Sequence, residues 1–114
     1  MSDTYPWPDE LDGVAADPGH HHVMFENDEV RVLKTVVAAG DTTLVHWHPK
    51  TVMYVVSGEH FVRYNEHDEV MTDTREQPEG WKLPDVLWSD STPLHKLWNP
   101  SDVDLVVIGV EIKG

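Results

Sequence analysis

The chain contains no cysteine. That excludes a disulfide framework, a thiolate zinc site and a thiol nucleophile, and it leaves nitrogen and oxygen as the donors for any transition metal. Positive charge is scarce as well: 8 Lys and Arg stand against 21 Asp and Glu, for a formal net charge of −13. Nucleic acids and anionic membrane surfaces are recognised by Lys/Arg patches, so neither is an expected partner. The acidic excess is read as a solubility device rather than a functional patch. No apolar run approaches the length of a membrane span and no charged-then-apolar leader is visible, so a cytoplasmic location is expected. Helical periodicity is missing too, since no stretch sustains it over three turns. A chain of 114 residues has room for one hydrophobic core and no second.

What the sequence does contain is a succession of short β-like segments. Strands are expected at 22–25, 30–37, 43–48, 51–57, 59–65, 70–74, 81–83, 86–88, 94–98 and 105–112, with Asn, Asp, Gly and Pro clusters between them. Many short strands with turn signals at regular spacing mean a sandwich or barrel. The expected organisation is an extended, proline-rich arm over 1–19 followed by a single all-β domain over 20–114. Prolines at 6, 8 and 18 disfavour helix and ladder pairing in the arm. Tyr5 and Trp7 would be wasted on a free arm and are expected to dock on the domain or on a second copy of it.

Two stretches carry chemistry. Gly40 precedes His46-Trp47-His48, and about fifty residues later His95 precedes Asn99. Histidines at i and i+2 on a strand share a face. A third histidine returning on a neighbouring strand could complete three imidazoles around one ion, with coordination positions left open as in catalytic rather than structural sites. Packing or hydrogen-bonding histidines are the alternative. Elsewhere, His60 shares a strand parity with Val62 and Tyr64, so His60 and Tyr64 are candidate catalytic groups if that face is the barrel interior, with a surface or packing role as the alternative for His60. His20, His21 and His22 are read as strand-edge or interface residues, and His67 as solvent-facing. Leu97 shares the inward parity of His95 and should narrow the cavity. Tyr54, Tyr64 and Trp88 are candidates for its wall, with ordinary core as the alternative.

These residues resemble the cupin family of small β-barrel or jelly-roll proteins. Gly40, His46, His48 and Gly58 match the Gly-x5-His-x-His pattern and closing Gly of the first cupin motif. Pro93, His95 and Asn99 look like the end of the second. The resemblance covers roughly residues 30–112, and it implies a barrel of two facing antiparallel sheets with metal ligands at His46, His48 and His95. One departure matters. Thr51 stands where the family usually has a metal-binding Glu, and Glu59 lies beyond the expected ligand position. The site therefore resembles the three-histidine variant found in cysteine dioxygenase and the diketone-cleaving dioxygenases. That likeness implies one divalent transition metal, Fe(II) favoured with Mn, Ni or Zn as alternatives. Without the carboxylate the ion keeps more net positive charge, which favours anionic or enolate substrates. Asn99 is expected to secure the turn after the histidine strand.

Trp47 and Trp98 have the opposite parity to the neighbouring histidines and should face outward. Outward indoles need cover, and the arm or a partner subunit is expected to provide it, giving a homodimer. The function implied by the resemblance is a metal-dependent, dioxygenase-like oxidoreductase acting on a small-molecule substrate. The alternatives are a Lewis-acid lyase or isomerase that uses no oxygen, and a non-catalytic module that binds a small ligand.

Overall fold

The computed structural model of the chain describes residues 5–113; the first four residues of the expected arm lie outside that range. Nine strands follow one another: β1 (His21–Glu26), β2 (Val30–Val37), β3 (His46–His48), β4 (Thr51–Ser57), β5 (Val62–Asn65), β6 (Val70–Asp73), β7 (Val86–Ser89), β8 (Thr92–Trp98) and β9 (Leu105–Ile112). They form two antiparallel sheets, a five-stranded one in the order β1-β2-β9-β4-β7 and a four-stranded one in the order β3-β8-β5-β6. Period-2 alternation fixes the inward faces. On β2, Arg31, Leu33 and Val37 are buried while Lys34 is exposed. On β9, Leu105, Gly109 and Glu111 are buried.

Three expectations are corrected here. The arm is not extended throughout: Asp9–Leu11 is a 3-10 turn and Gly13–Ala16 a single α-helical turn. Asp12 explains it, because its carboxylate accepts from the Val14 and Ala15 amides and caps a helix that the prolines leave room for. The segment 81–83 is loop, having no neighbouring strand to pair with, and the first histidine strand begins only at His46.

The arm lies on the domain. Tyr5 and Trp7 stack against Trp47 at 5.2 and 5.7 Å between ring centroids, and the Trp47 indole N–H donates to the Pro8 carbonyl at 2.8 Å. Trp47 is thereby fully buried although it faces away from the barrel interior. The Arg75 guanidinium lies 5.0 Å from the Trp98 ring, which stays half-buried. Trp47 is thus covered within one chain, and Trp98 in part. Two turns rest on glycine: Gly40 has φ +80°, and Gly58 has φ +150° with Leu105 so close that a Cβ would sit 2.6 Å from its Cδ1.

The interior is unusual for so small a domain. Among the described residues the fully or nearly buried apolar side chains include Leu33, Val37, Trp47, Pro49, Val62 and Leu105, against twelve buried polar or charged ones. Each buried aliphatic contributes about 1.5–3 kcal/mol, whereas a polar group inside costs stability unless it is hydrogen-bonded. Hydrogen bonding therefore has to carry much of what apolar packing carries elsewhere.

Candidate metal centre

His46 and His95 lie directly opposite one another across the β3–β8 pair. A register shift between His46 and His48 brings His48 opposite Thr92. The ring centroids of His46 are 4.7 Å from those of His48 and 4.3 Å from those of His95, and His48 lies 5.7 Å from His95. The histidines at 46, 48 and 95 therefore line one cavity. His21 joins them. It is almost fully buried, its ring lies 4.5 Å from that of His46 and 5.0 Å from that of His48, and its ligand nitrogen falls within 4.8 Å of theirs.

His21 is a correction to its reading as an edge or interface residue. Three consecutive histidines entering a strand cannot all share a face, so at least one turns inward. His20 takes the opposite side, between Asp17 and Asp41 at 2.7 Å each, and His22 is exposed. The run itself was the available signal. The tightest group is His21, His46 and His48, with His95 alongside His46.

All four rings are held the same way. The Nδ1–H of His46 donates to the Leu44 carbonyl at 2.6 Å, that of His95 to the Pro93 carbonyl at 2.8 Å, and that of His21 to the Asp17 carbonyl at 3.0 Å. His48 Nδ1 meets a Glu111 carboxylate oxygen at 2.8 Å. Carbonyl oxygens only accept, so these contacts fix the proton on Nδ1 and leave Nε2 with a free lone pair. Burial keeps His21, His46 and His95 neutral. It lowers His46 and His95 well below the ordinary imidazole value, with the neighbouring His48 ring and, for His95, the Arg63 cation adding to it; it brings His21 down to about 4. Neutral imidazoles with anchored Nδ1 and available Nε2 are the form in which histidine binds a metal.

The residues fit an ion. Nitrogens about 2.1 Å from one centre lie about 3 Å apart at a right angle and at most about 4.2 Å apart across it. The ligand atoms of His21, His46 and His48 lie within 4.8 Å of one another, close to that range. Glu111 steadies the wall behind them: one carboxylate oxygen takes His48, and the other takes Arg31 Nε at 2.7 Å. Arg31 reaches on to Asp12 at 3.1 Å. Burial pulls the Arg31 guanidinium down, but the charges of Glu111 and Asp12 outweigh that and raise its pKa. The arm also touches the site directly, for a Cβ on Gly13 would lie 2.5 Å from His48 Cε1.

Thr51 faces the cavity, but its hydroxyl donates to the Pro49 carbonyl at 2.7 Å. Asn99 sits in the turn after β8, donating to the Val37 and Val103 carbonyls and accepting from Ser101. His60 and Tyr64 are not brought to the imidazoles. His60 precedes β5, stacks on Trp81 and contacts the Thr74 hydroxyl at 3.0 Å. Tyr64 lines a shallow outer depression with Thr42, Asp68, Lys96 and Trp98. Tyr54 and Trp88 are exposed on the outer face of the five-stranded sheet. The parity on β5 instead turns Arg63 inward, a residue that sequence reasoning passed over. Leu97 lines the cavity, whose volume is about 90 Å³.

No protein-family model matches the chain, and no curated protein does. Solved structures do. A cupin domain from Bordetella pertussis superposes with a TM-score of 0.62 at 19% identity, covering 82% of this chain and 92% of that one. An uncharacterized conserved protein with a double-stranded β-helix domain from Klebsiella pneumoniae gives 0.58 at 20% identity, covering 100% and 92%. A predicted oxalate decarboxylase from Thermotoga maritima gives 0.52 at 19%, covering 81% and 77%. The fold is the cupin double-stranded β-helix, and its three-histidine cluster is consistent with a metal ion.

Proposed function

We propose that the chain is a metal-dependent enzyme for a small organic substrate, with one divalent transition metal held by Nε2 of His46, His48 and His95 and by His21 as a fourth imidazole. One observation carries this reading: four clustered histidines each have Nδ1 committed to a carbonyl or carboxylate. An all-imidazole set suits iron, nickel, copper or zinc. Iron is the favoured ion and a dioxygenase-like oxidation the favoured reaction, with manganese, nickel or zinc as alternatives. His21 supplies the donor that Thr51 does not, but as a neutral ligand, so the ion keeps its full charge. When bound, the metal supplies Lewis acidity and, as iron, redox capacity toward dioxygen. The chain's own residues do the rest: Glu111 holds the His48 proton at Nδ1, and Leu97, Leu105 and Val107 keep the neighbouring wall apolar.

The test starts with metal analysis of protein purified without a nickel column. About one equivalent of metal is expected in the wild type and a large loss in His46→Ala and His95→Ala. His95→Ala retaining full metal would refute the assigned ligand set. Oxygen consumption by the iron-loaded protein on a panel of diketones, catechols, thiols and enols follows. A fully metallated protein with no oxygen-dependent turnover overturns the dioxygenase reading in favour of a lyase or binding role. The remaining partner in this reading is a second copy of the chain, docked through the exposed Val52, Tyr54, Val56, Val86 and Trp88 of the five-stranded sheet.

A further inference from the structure

Arg63 occupies the middle of β5, opposite Leu97 on β8 and Thr72 on β6. Leu97 lines the cavity, and Arg63, its cross-strand partner on the same face, lines it too. Its Nε is buried and has no hydrogen-bond partner. Among the described residues no carboxylate forms an ion pair with it, and its guanidinium rests over the Phe61 ring at 5.3 Å. Arg31, on the facing sheet, shows how this fold completes a buried guanidinium: Glu111 and Asp12 both pair with it. Arg63 is half-buried, and its desolvated Nε–H is left without the acceptor that such a group needs.

Charge bookkeeping inside the cavity points the same way. Glu111 is the only acidic residue in its lining, and Arg31 neutralises it. Arg63 is left as surplus positive charge, before any metal is added. A planar guanidinium is completed best by a carboxylate, which accepts two parallel N–H bonds. The lining also includes apolar side chains, Leu33, Met53, Leu97, Leu105 and Val107. The volume of about 90 Å³ is well below the roughly 150 Å³ that accepts a benzene molecule.

We propose that Arg63 is the carboxylate anchor of this cavity and that the ligand is a short aliphatic acid whose other end faces the imidazole cluster. This rests on the cavity being the ligand site of the metal centre proposed above, but Arg63 can be tested with and without metal. Sodium salts from formate to butyrate, and the amides of the same lengths, are titrated into metal-free and metal-loaded protein by calorimetry. The wild type is expected to prefer acid over amide in both forms. Arg63→Met should lose that preference by about 10- to 100-fold, the range of a charge-assisted hydrogen bond, while keeping its metal content; Arg63→Lys should keep part of it. Equal affinity for acid and amide in the wild type, or an unchanged preference in Arg63→Met, overturns the proposal. If Arg63→Met does not fold, the Arg63 Nε–H resonance of the wild type decides. Its shift on titration with an acid but not with the amide supports the anchor, and its indifference to both refutes it. Absence of bound metal with the acid preference intact would overturn the metal reading and leave the anchor standing.

Discussion

The two faces of the five-stranded sheet invert the usual order of a β-sandwich. On β4 the inward Thr51 and Met53 line the cavity, while the outward Val52, Tyr54 and Val56 are exposed. β9 carries Glu111 inward, and on β7 the outward Val86 and Trp88 are 61% and 55% exposed. The face that should be apolar holds a carboxylate and a guanidinium beside four imidazoles, and the face toward solvent holds valines, a tyrosine and a tryptophan. Burying polar groups costs stability unless each is paired, and here almost every one is. The inner face trades apolar core for paired polar groups. The outer face keeps exposed apolar surface that a larger core would have hidden. Changes to the inner face should therefore disturb stability and metal together, and changes to the outer face should disturb neither.

The largest effect should come from acid on the metal-free protein. His21, His46 and His95 are held neutral by burial, so their folded pKa values lie below that of the unfolded chain. The unfolded chain then binds more protons, and stability rises with pH. The contribution is fully present above pH 6.5 and is lost as pH falls, with the His21 share exhausted near its folded value of about 4. Each such histidine costs up to about 1.4 kcal/mol per pH unit in that window. Urea unfolding in EDTA at pH 7, 6 and 5 measures this above the range where most carboxylates titrate. Divalent metal should move the loss to lower pH. A stability independent of pH between 7 and 5 would break the account of a neutral, buried cluster.

A smaller effect is expected at the arm. Gly13 packs so closely that a Cβ would lie 2.5 Å from His48 Cε1 and 3.3 Å from His21 Cδ2. His48 cannot easily retreat, because Glu111 holds its Nδ1 and Arg31 holds Glu111. Gly13→Ala should cost about 1–3 kcal/mol and weaken metal binding about 10- to 100-fold, as loss of an orienting contact does. Gly19→Ala is the control, since nothing lies within 4 Å of its added methyl. Equal metal affinity in the two variants would show that the arm covers the domain without shaping the site.

How much of this was legible before the structure depends on which force decided each residue. The bounds of β2, β4 and β9 follow from β-branched alternation and coincide with the expected segments. His46, His48 and His95 were legible because motif spacing and strand parity agree, and the structure places them together. His21 had no motif to mark it. Its inward turn is held by the Asp17 carbonyl after a one-turn helix, and only the run of three histidines at the strand's entry hinted at it. Arg63 was missed for another reason. A strand expected to begin at residue 59 made His60 and Tyr64 the inward pair. Parity does not say which of a strand's two faces is the inner one, and a charged residue on a strand is read as outward unless its partners are known. Trp47 and Trp98 were correctly read as outward and in need of cover, but Tyr5 and Trp7 of the same chain supply it for Trp47, and Arg75 supplies part of it for Trp98.

That last point moves the case for a dimer from the indoles to the outer sheet face, where the smallest effect on folding and the sharpest effect on assembly should coincide. β4 pairs with β7 so that Val52 lies opposite Trp88 and Tyr54 opposite Val86. The four side chains form one contiguous patch, and on β9 Val110 and Ile108 flank Val52 and Tyr54. The Trp88 indole N–H is already satisfied by Asp90 at 2.9 Å, so its ring can be covered without stranding a donor. Trp88→Ser and Tyr54→Ser remove exposed apolar surface and should change the stability of the single chain by about 0.5 kcal/mol or less. In light scattering coupled to size exclusion, the wild type is expected at twice the chain mass and the double variant at the chain mass, with metal content unchanged in both. A wild type that runs as a monomer at every concentration would leave the outer face without a partner, and a double variant that loses metal would show that the two faces are not independent.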